Sequence, residues 1–256
     1  MIYYTPANFN GPINRIVSLV PSQTELLFYL GLDDCIIGLT KFCVHPPNLL
    51  QTKAIIGGTK DAGLSVIKKI KPDLIIANKE ENIKEQVELL SEEYPVFVTD
   101  VNDFDAALQM INDIGQITNT KNKAVGLVQN IQQNFKAFQF QPNIKAAYLI
   151  WRKPYMTIGG DTFINAMMNL CGFNNVFTNK LRYPEITIEA IKLMDCKILL
   201  LSTEPYPFKQ KHADELQIQL PGVKIVLVDG EMFSWYGSRL LFAAEYFKSL
   251  RDRLGL

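Results

Sequence analysis

Short runs of β-branched and aliphatic residues alternate, over most of the chain, with stretches whose apolar positions recur every three or four residues. The first pattern predicts buried strands and the second amphipathic helices. Residues 15–20 read as a strand. A helix starts at 21–25, where Ser22 and Glu25 stand at capping-box spacing, Leu26, Leu27 and Leu30 give it an apolar face, and Gly31 stops it. Residues 35–38, 54–56, 74–77 and 96–98 are further strands, with helices over 64–70 and 82–92.

The order then repeats. Residues 146–150 predict a strand, Asp161 the cap of a helix running to Leu170 and stopped by Gly172, and Val176-Phe177 a loose counterpart of Ile36-Ile37. A helix over 188–194 and strands over 198–201 and 224–228 follow. The segment ending in Asn78-Lys79-Glu80 overlays that ending in Ser202-Thr203-Glu204, and the one ending in Asp100 overlays the one ending in Asp229. The expected architecture is therefore α/β: two Rossmann-like lobes with mostly parallel sheets, because strands separated by helices must cross over to pair. Between the repeats, 104–117 and 121–138 carry apolar residues at helical spacing. The second has no proline and predicts a continuous helix of about 27 Å at 1.5 Å per residue. The boundaries expected are an N-terminal lobe over 1–103, a helical linker including this long backbone helix over 104–143, and a C-terminal lobe over 144–256.

Composition narrows the function classes. The 256 residues are 48% hydrophobic, which suits real cores, and 26 basic residues balance 26 acidic ones. A balanced chain has no field to draw nucleic acid or an anionic membrane surface. Its longest apolar runs fall far below the ~18 residues a membrane span needs. Residues 1–12 lack the basic start and apolar stretch of a secretory leader, so the chain as written is expected in the cytoplasm, and in the periplasm or at a membrane if a leader lies outside this sequence. Cys35, Cys43, Cys171 and Cys196 form no CxxC pair and are expected as free thiols. Cys43 and His45 are the only close Cys/His pair, which argues against a closed zinc site.

In open α/β sheets ligands collect beyond the carboxyl ends of the strands. Those positions hold Phe42 and His45, then Asn78, Glu80 and Glu81, Trp151 and Tyr155, Glu204 and Tyr206, and Glu231, Trp235 and Tyr236, with Tyr183 in a further loop. Rings with carboxylates and amides among them suit a large, partly apolar ligand that is polar at its rim. A single tryptophan also caps a core, His45 reads equally as a loop histidine or as a ligand contact or axial metal donor, and Glu80 and Glu204 read equally as caps of the helices that follow. His212 reads as a solvated helix residue. Catalytic constellations are poor, with two histidines, no GxSxG, no GxxxxGK[ST], and Gly159-Gly160 too short for a phosphate cradle.

The segment from Arg15 through Val20, Pro21-Ser22-Gln23-Thr24-Glu25 and Gly31, followed by Ile37-Gly38-Leu39-Thr40, Ile56-Gly57-Gly58 and Ile70-Lys71-Pro72-Asp73, resembles the substrate-binding proteins of cobalamin, haem and ferric-siderophore ABC transporters. These are the helical-backbone metal receptors, or class III binding proteins, and the resemblance runs from about Arg15 to Leu250. It implies two lobes bridged by a long helix, a ligand in the cleft, no catalysis and no intrinsic cofactor. Similarity to the cobalamin-binding branch implies a corrinoid or other metal chelate as ligand. In that branch Phe42, His45, Tyr183, Glu231 and Trp235 stand at pocket positions, while Lys60 and Asn78 replace aromatic residues. The resemblance also implies docking of a monomer on a membrane permease through one acid per lobe. Glu189 stands at one such position and Ser65 at the other, and Cys171 matches a disulfide cysteine whose partner position falls near Phe247. The alternatives are a haem or ferric-siderophore binding protein, or a cytoplasmic corrinoid- or tetrapyrrole-handling enzyme with His45 as donor and Glu204 or Glu231 as acid/base.

Overall fold

The computed structural model describes residues 1–6, 9 and 11–256; Ala7, Asn8 and Asn10, within the segment read for a leader, lie outside the described residues. The chain divides into two compact units. The first comprises Met1–Val101, Asp105–Asn130 and Tyr236–Arg239, and the second Asn102–Phe104, Ile131–Trp235 and Leu240–Leu256.

In the first unit the elements run β1 (Ile2–Tyr3), β2 (Ile16–Ser18), α1 (Pro21–Tyr29), β3 (Ile36–Leu39), α2 (Leu49–Thr52), β4 (Ala54–Ile55), α3 (Leu64–Ile70), β5 (Leu74–Asn78), α4 (Lys84–Ser91) and β6 (Val96–Thr99). The sheet order is β1-β6-β5-β2-β3-β4, and every pairing is parallel. Strands buried on both faces need continuous apolar sequence, which β5 supplies with five buried residues. Val17, Ile67, Ile75, Ala77, Val87 and Val96 belong to one core between sheet and helices.

The capping box expected at Ser22 does not form. Pro21, with no N–H to satisfy and a fixed φ, opens α1 after an extended Val20, which draws Ser22 inside the first turn. Among the described residues the buried Ser22 hydroxyl has no partner, and Glu25 turns instead to Arg239.

Two longer helices follow, α5 (Phe104–Ile117) and α6 (Lys121–Ala137). Their apolar positions fall on one face: Leu108, Ile111 and Ile114 are buried on α5, and Ala124, Leu127, Val128, Ile131 and Phe135 on α6. Gly115 lets the two approach, since a Cβ there would stand 2.3 Å from that of Ala124. The 17-residue α6 is continuous, giving Lys121–Asn130 to the first unit and Ile131–Ala137 to the second.

The second unit contains β7 (Ile144–Trp151), β8 (Tyr155–Thr157), α7 (Phe163–Leu170), β9 (Phe173–Asn175), β10 (Glu185–Ile186), α8 (Ile188–Leu193), β11 (Ile198–Ser202), α9 (Gln210–Gln219), β12 (Lys224–Val228), α10 (Glu231–Ser234) and α11 (Leu240–Leu254). Its sheet runs β10-β8-β7-β11-β12, with β9 also on β7. The β7, β9, β11 and β12 pairings are parallel, while β8 and β10 are antiparallel additions. Ala147, Leu149, Leu199, Leu201, Ile191 and Leu216 pack in its core.

Three local expectations are corrected here. Thr162, not Asp161, caps α7 by accepting from Asn165 N, and Asp161 accepts from Arg182 N at 2.6 Å. The strand expected at Val176-Phe177 lies earlier, in β9, because Asn175 Oδ1 accepts from Phe177 N and turns the chain. His212 is buried, and its Nδ1 accepts from Lys209 N–H at 3.0 Å, closing the first turn of α9.

Candidate functional site

The strand order of the first unit reverses at the β2–β5 pair, the switch point where loops and a helix N-terminus converge. Phe42 and His45 lie in the loop after β3. Phe42 is 50% exposed, with Lys41 Nζ 5.3 Å from its ring centre, and His45 is half-buried. Between them Cys43 is buried against Thr24 Oγ1 and Thr40 Oγ1, and its burial pushes the thiol's pKa up. Exposed Lys60 donates to Glu80 O at 2.6 Å.

Asn78 is 2% exposed and builds the turn after β5. Its Oδ1 accepts from Glu80 N at 2.8 Å and Glu81 N at 3.2 Å, and its Nδ2 donates to Thr99 O. Glu80 does not cap α4, which has no side-chain cap. Glu81 accepts from the Tyr236 hydroxyl at 2.9 Å, so Tyr236 joins this group from far along the chain. Phe42, Lys60, Asn78 and Tyr236 thus share one set of loops in the first unit.

In the second unit two groups lie beyond β7, β11 and β12. One holds Trp151, Tyr155 and Tyr206. Trp151 is 41% exposed and meets Tyr206 edge-on at 5.7 Å, and Tyr206 packs on Phe208 at 4.8 Å and His212 at 5.6 Å. Arg152, not anticipated from sequence, adjoins the group and forms an ion pair with Glu215. Its position next to Trp151 in a strand-end loop was the available signal.

The other group holds Glu204, Glu231 and Trp235. Glu204 Oε1 accepts from Ser234 Oγ at 2.5 Å, and Trp235 also hydrogen-bonds its carboxylate. Burial raises the Glu204 pKa above the usual carboxylate range, opposed by Ser234 and reinforced by Glu231 and Asp229. Glu204 does not cap α9, which Lys209 and His212 close. Gly230 is required here, because a Cβ would stand 2.5 Å from both Glu204 Cγ and Ser202 Oγ. Trp235, 7% exposed, is covered in this conformation, unlike Trp151. Tyr183 is half-buried, with the Arg182 guanidinium 5.6 Å from its ring centre.

The four cysteines are free. Among the described residues no three His, Cys, Asp or Glu side chains gather as a metal site, and no helix is long and apolar enough to cross a membrane. The Gly159-Gly160 pair serves backbone packing, with Gly159 N donating to Arg182 O and Gly160 N to Lys180 O.

Comparison with known proteins agrees with this architecture. The chain is 24% identical to a vitamin B12-binding protein of Vibrio parahaemolyticus over 75% of its own length and 72% of the relative's. It is 27% identical to an uncharacterized ABC transporter substrate-binding lipoprotein of Bacillus subtilis over 69% of this chain and 60% of that one. The periplasmic heme binding protein of Vibrio cholerae superposes with a TM-score of 0.77 at 21% identity, covering 92% of this chain and 98% of that one. Residues 16–224 match the model of the periplasmic binding protein family, a family of binding proteins rather than enzymes, and the chain belongs to it.

Proposed function

We propose that this protein is the substrate-binding component of an ABC-type uptake system and that its ligand is a corrinoid. The match to a vitamin B12-binding protein over three-quarters of the chain carries the reading. Exposed or half-buried rings at strand-end loops supply its chemistry, since a flat macrocycle gains about 25 cal/mol per Å2 of apolar face covered. The residues put forward for ligand contact are Phe42 in the first unit and Trp151, Tyr155, Tyr183 and Tyr206 in the second, with Lys60, Glu204 and Glu231 as polar neighbours. Trp235, Tyr236 and Asn78 support the loops in the conformation described. His45 is the candidate axial donor to a metal that the ligand brings with it, and no cofactor belongs to the protein itself.

The kinship to a lipoprotein favours a location outside the cytoplasm over the cytoplasmic expectation, and a permease as partner. Glu189, exposed in the first turn of α8, is the docking acid proposed for the second unit, and Ser65 supplies none in the first. A haem-binding reading is the second choice, favoured by the superposition on a heme binding protein.

Titration with cobalamin, cobinamide, haem and a ferric-siderophore panel, followed by visible absorbance and thermal shift, tests this. A corrinoid response is expected, a haem-only response transfers the reading to the second choice, and silence to every ligand removes both. Trp151→Ala and Tyr183→Ala are each expected to weaken corrinoid binding by about 1–3 kcal/mol.

A further inference from the structure

The loop between β11 and α9, residues 203–209, carries Tyr206 and Phe208. Tyr206 N donates to Ile150 O at 3.3 Å, which fastens the loop beside Trp151, and Phe208 N donates to Ser202 O at 3.3 Å. The far end is closed by a side chain. His212, at the third position of α9, reaches back so that its Nδ1 accepts from Lys209 N–H at 3.0 Å, the acceptor half of a capping box. The same imidazole is a floor for the rings: its centre lies 5.6 Å from that of Tyr206 and 5.8 Å from that of Phe208, and Tyr206 in turn meets Trp151 edge-on. The backbone tie and the ring packing thus run through one buried residue.

We infer that His212 is a positioning residue: its neutral ring holds Tyr206 against Trp151, and its protonation releases the pair. The consequence for ligand affinity rests on the corrinoid reading above, in which both rings contact the ligand. A neutral imidazole has one acceptor nitrogen, here Nδ1, whereas a protonated one carries N–H on both nitrogens and accepts with neither. Protonation therefore sets Nδ1–H against Lys209 N–H and opens the first turn of α9. The added charge is opposed as well. It would stand at the positive end of a ten-residue helix, facing Lys209 and Lys211 of that helix and Arg152 from the loop after β7. Glu215, the acid that faces it, is already paired with Arg152, and the loop after β11 brings the rings of Tyr206 and Phe208. Burial, with these cations behind it, holds the His212 pKa below the ordinary 6.5. The fold's preference for the neutral ring is therefore complete above 6.5 and is lost as pH falls below it.

The chain has two tryptophans and two histidines, so their indole N–H and imidazole signals can be followed individually by NMR on the full chain, with Trp151→Phe identifying the Trp151 signal. Titration from about pH 8 to about pH 5 is expected to move the Trp151 indole signal with the same midpoint as the His212 ring, below 6.5. Cyanocobalamin binding, read by calorimetry, is expected to weaken over that range by about two- to tenfold, the equivalent of one aligned aromatic contact. His212→Gln supplies an amide oxygen that accepts from the N-cap N–H without titrating, and is expected to flatten both profiles. His212→Leu, which fills the space without an acceptor, is expected to keep the Trp151 signal near its acid position at every pH. The inference is overturned by a Trp151 signal that still titrates in His212→Gln, by one that stays fixed while the His212 ring protonates, or by a His212 ring that stays neutral throughout. Cyanocobalamin binding that ignores pH while the Trp151 signal moves overturns the effect on affinity. Failure to bind cyanocobalamin at any pH removes the corrinoid reading, and the ligand-free Trp151 profile then still decides the role of His212.

Discussion

Arg239 and Glu25 are 214 positions apart and meet as a fork, with Nη2 2.6 Å from Oε1 and Nε 3.1 Å from Oε2. Their side chains are 12% and 17% exposed, so the pair lies between two regimes. Exposed ion pairs contribute about 0.2–1 kcal/mol, whereas removing one partner of a buried pair costs about 3–5 kcal/mol because a charge is stranded. Two charge-assisted bonds at this exposure argue for the upper regime, slightly reduced. We expect Arg239→Met to cost about 3 kcal/mol, Glu25→Gln about 2, and a double-mutant cycle to give a coupling of about 2 kcal/mol. Equilibrium urea unfolding followed by far-UV circular dichroism measures each corner. Repeating the cycle in 1 M salt, where the Debye length falls to about 3 Å, is expected to preserve most of the coupling. A coupling of about 0.5 kcal/mol or less, or one erased by salt, would refute the assignment of this pair as a buried anchor of α1.

Three further outcomes are expected. Gly115→Val forces a side chain into Ala124 and is expected to lower stability by about 1–3 kcal/mol, read as a fall in melting temperature; an unchanged value denies the close approach of α5 and α6. Asn78→Ala strips acceptors from Glu80 N and Glu81 N and is expected to cost about 1–3 kcal/mol and speed hydrogen exchange at both amides, whereas unaltered exchange means another group holds that turn. For Glu204 the folded-state pKa lies above the ordinary 4.5, so its carboxyl favours the fold below that value and loses that contribution as pH rises past it. Glu204→Gln should therefore gain on the natural protein in melting temperature between pH 5 and pH 8, and parallel pH profiles would contradict the shift.

The central strands were legible because β5 and β11 are apolar at almost every position, a pattern that only burial on both faces explains. The short strands β1, β8 and β10 were not, since two or three residues carry no period and their pairing is decided by the neighbouring strand. A helix was expected around His212, but the bounds and inward face of α9 were not, because that face is narrow, His212, Ala213 and Leu216 on an otherwise polar stretch, and His212 is buried rather than solvated. At the candidate site the rings could be read as a class from their strand-end positions, but their exposure could not. Trp235 and Tyr236 are adjacent in sequence, yet one is tied to Glu204 and the other to Glu81, 155 positions away. Those partners decide which ring is available, and spacing along the chain carries no trace of them.

The four residues Tyr236–Arg239 have a consequence for how the protein is made and cut. They belong to the first unit although their neighbours along the chain on both sides belong to the second, so the first unit is incomplete until residue 239 has left the ribosome. A fragment ending near the close of α6 would lack the arginine that secures α1 and the tyrosine that secures Glu81. Supplying those four residues through a grafted loop, rather than trimming the chain at an apparent boundary, is the route to an autonomous half-protein.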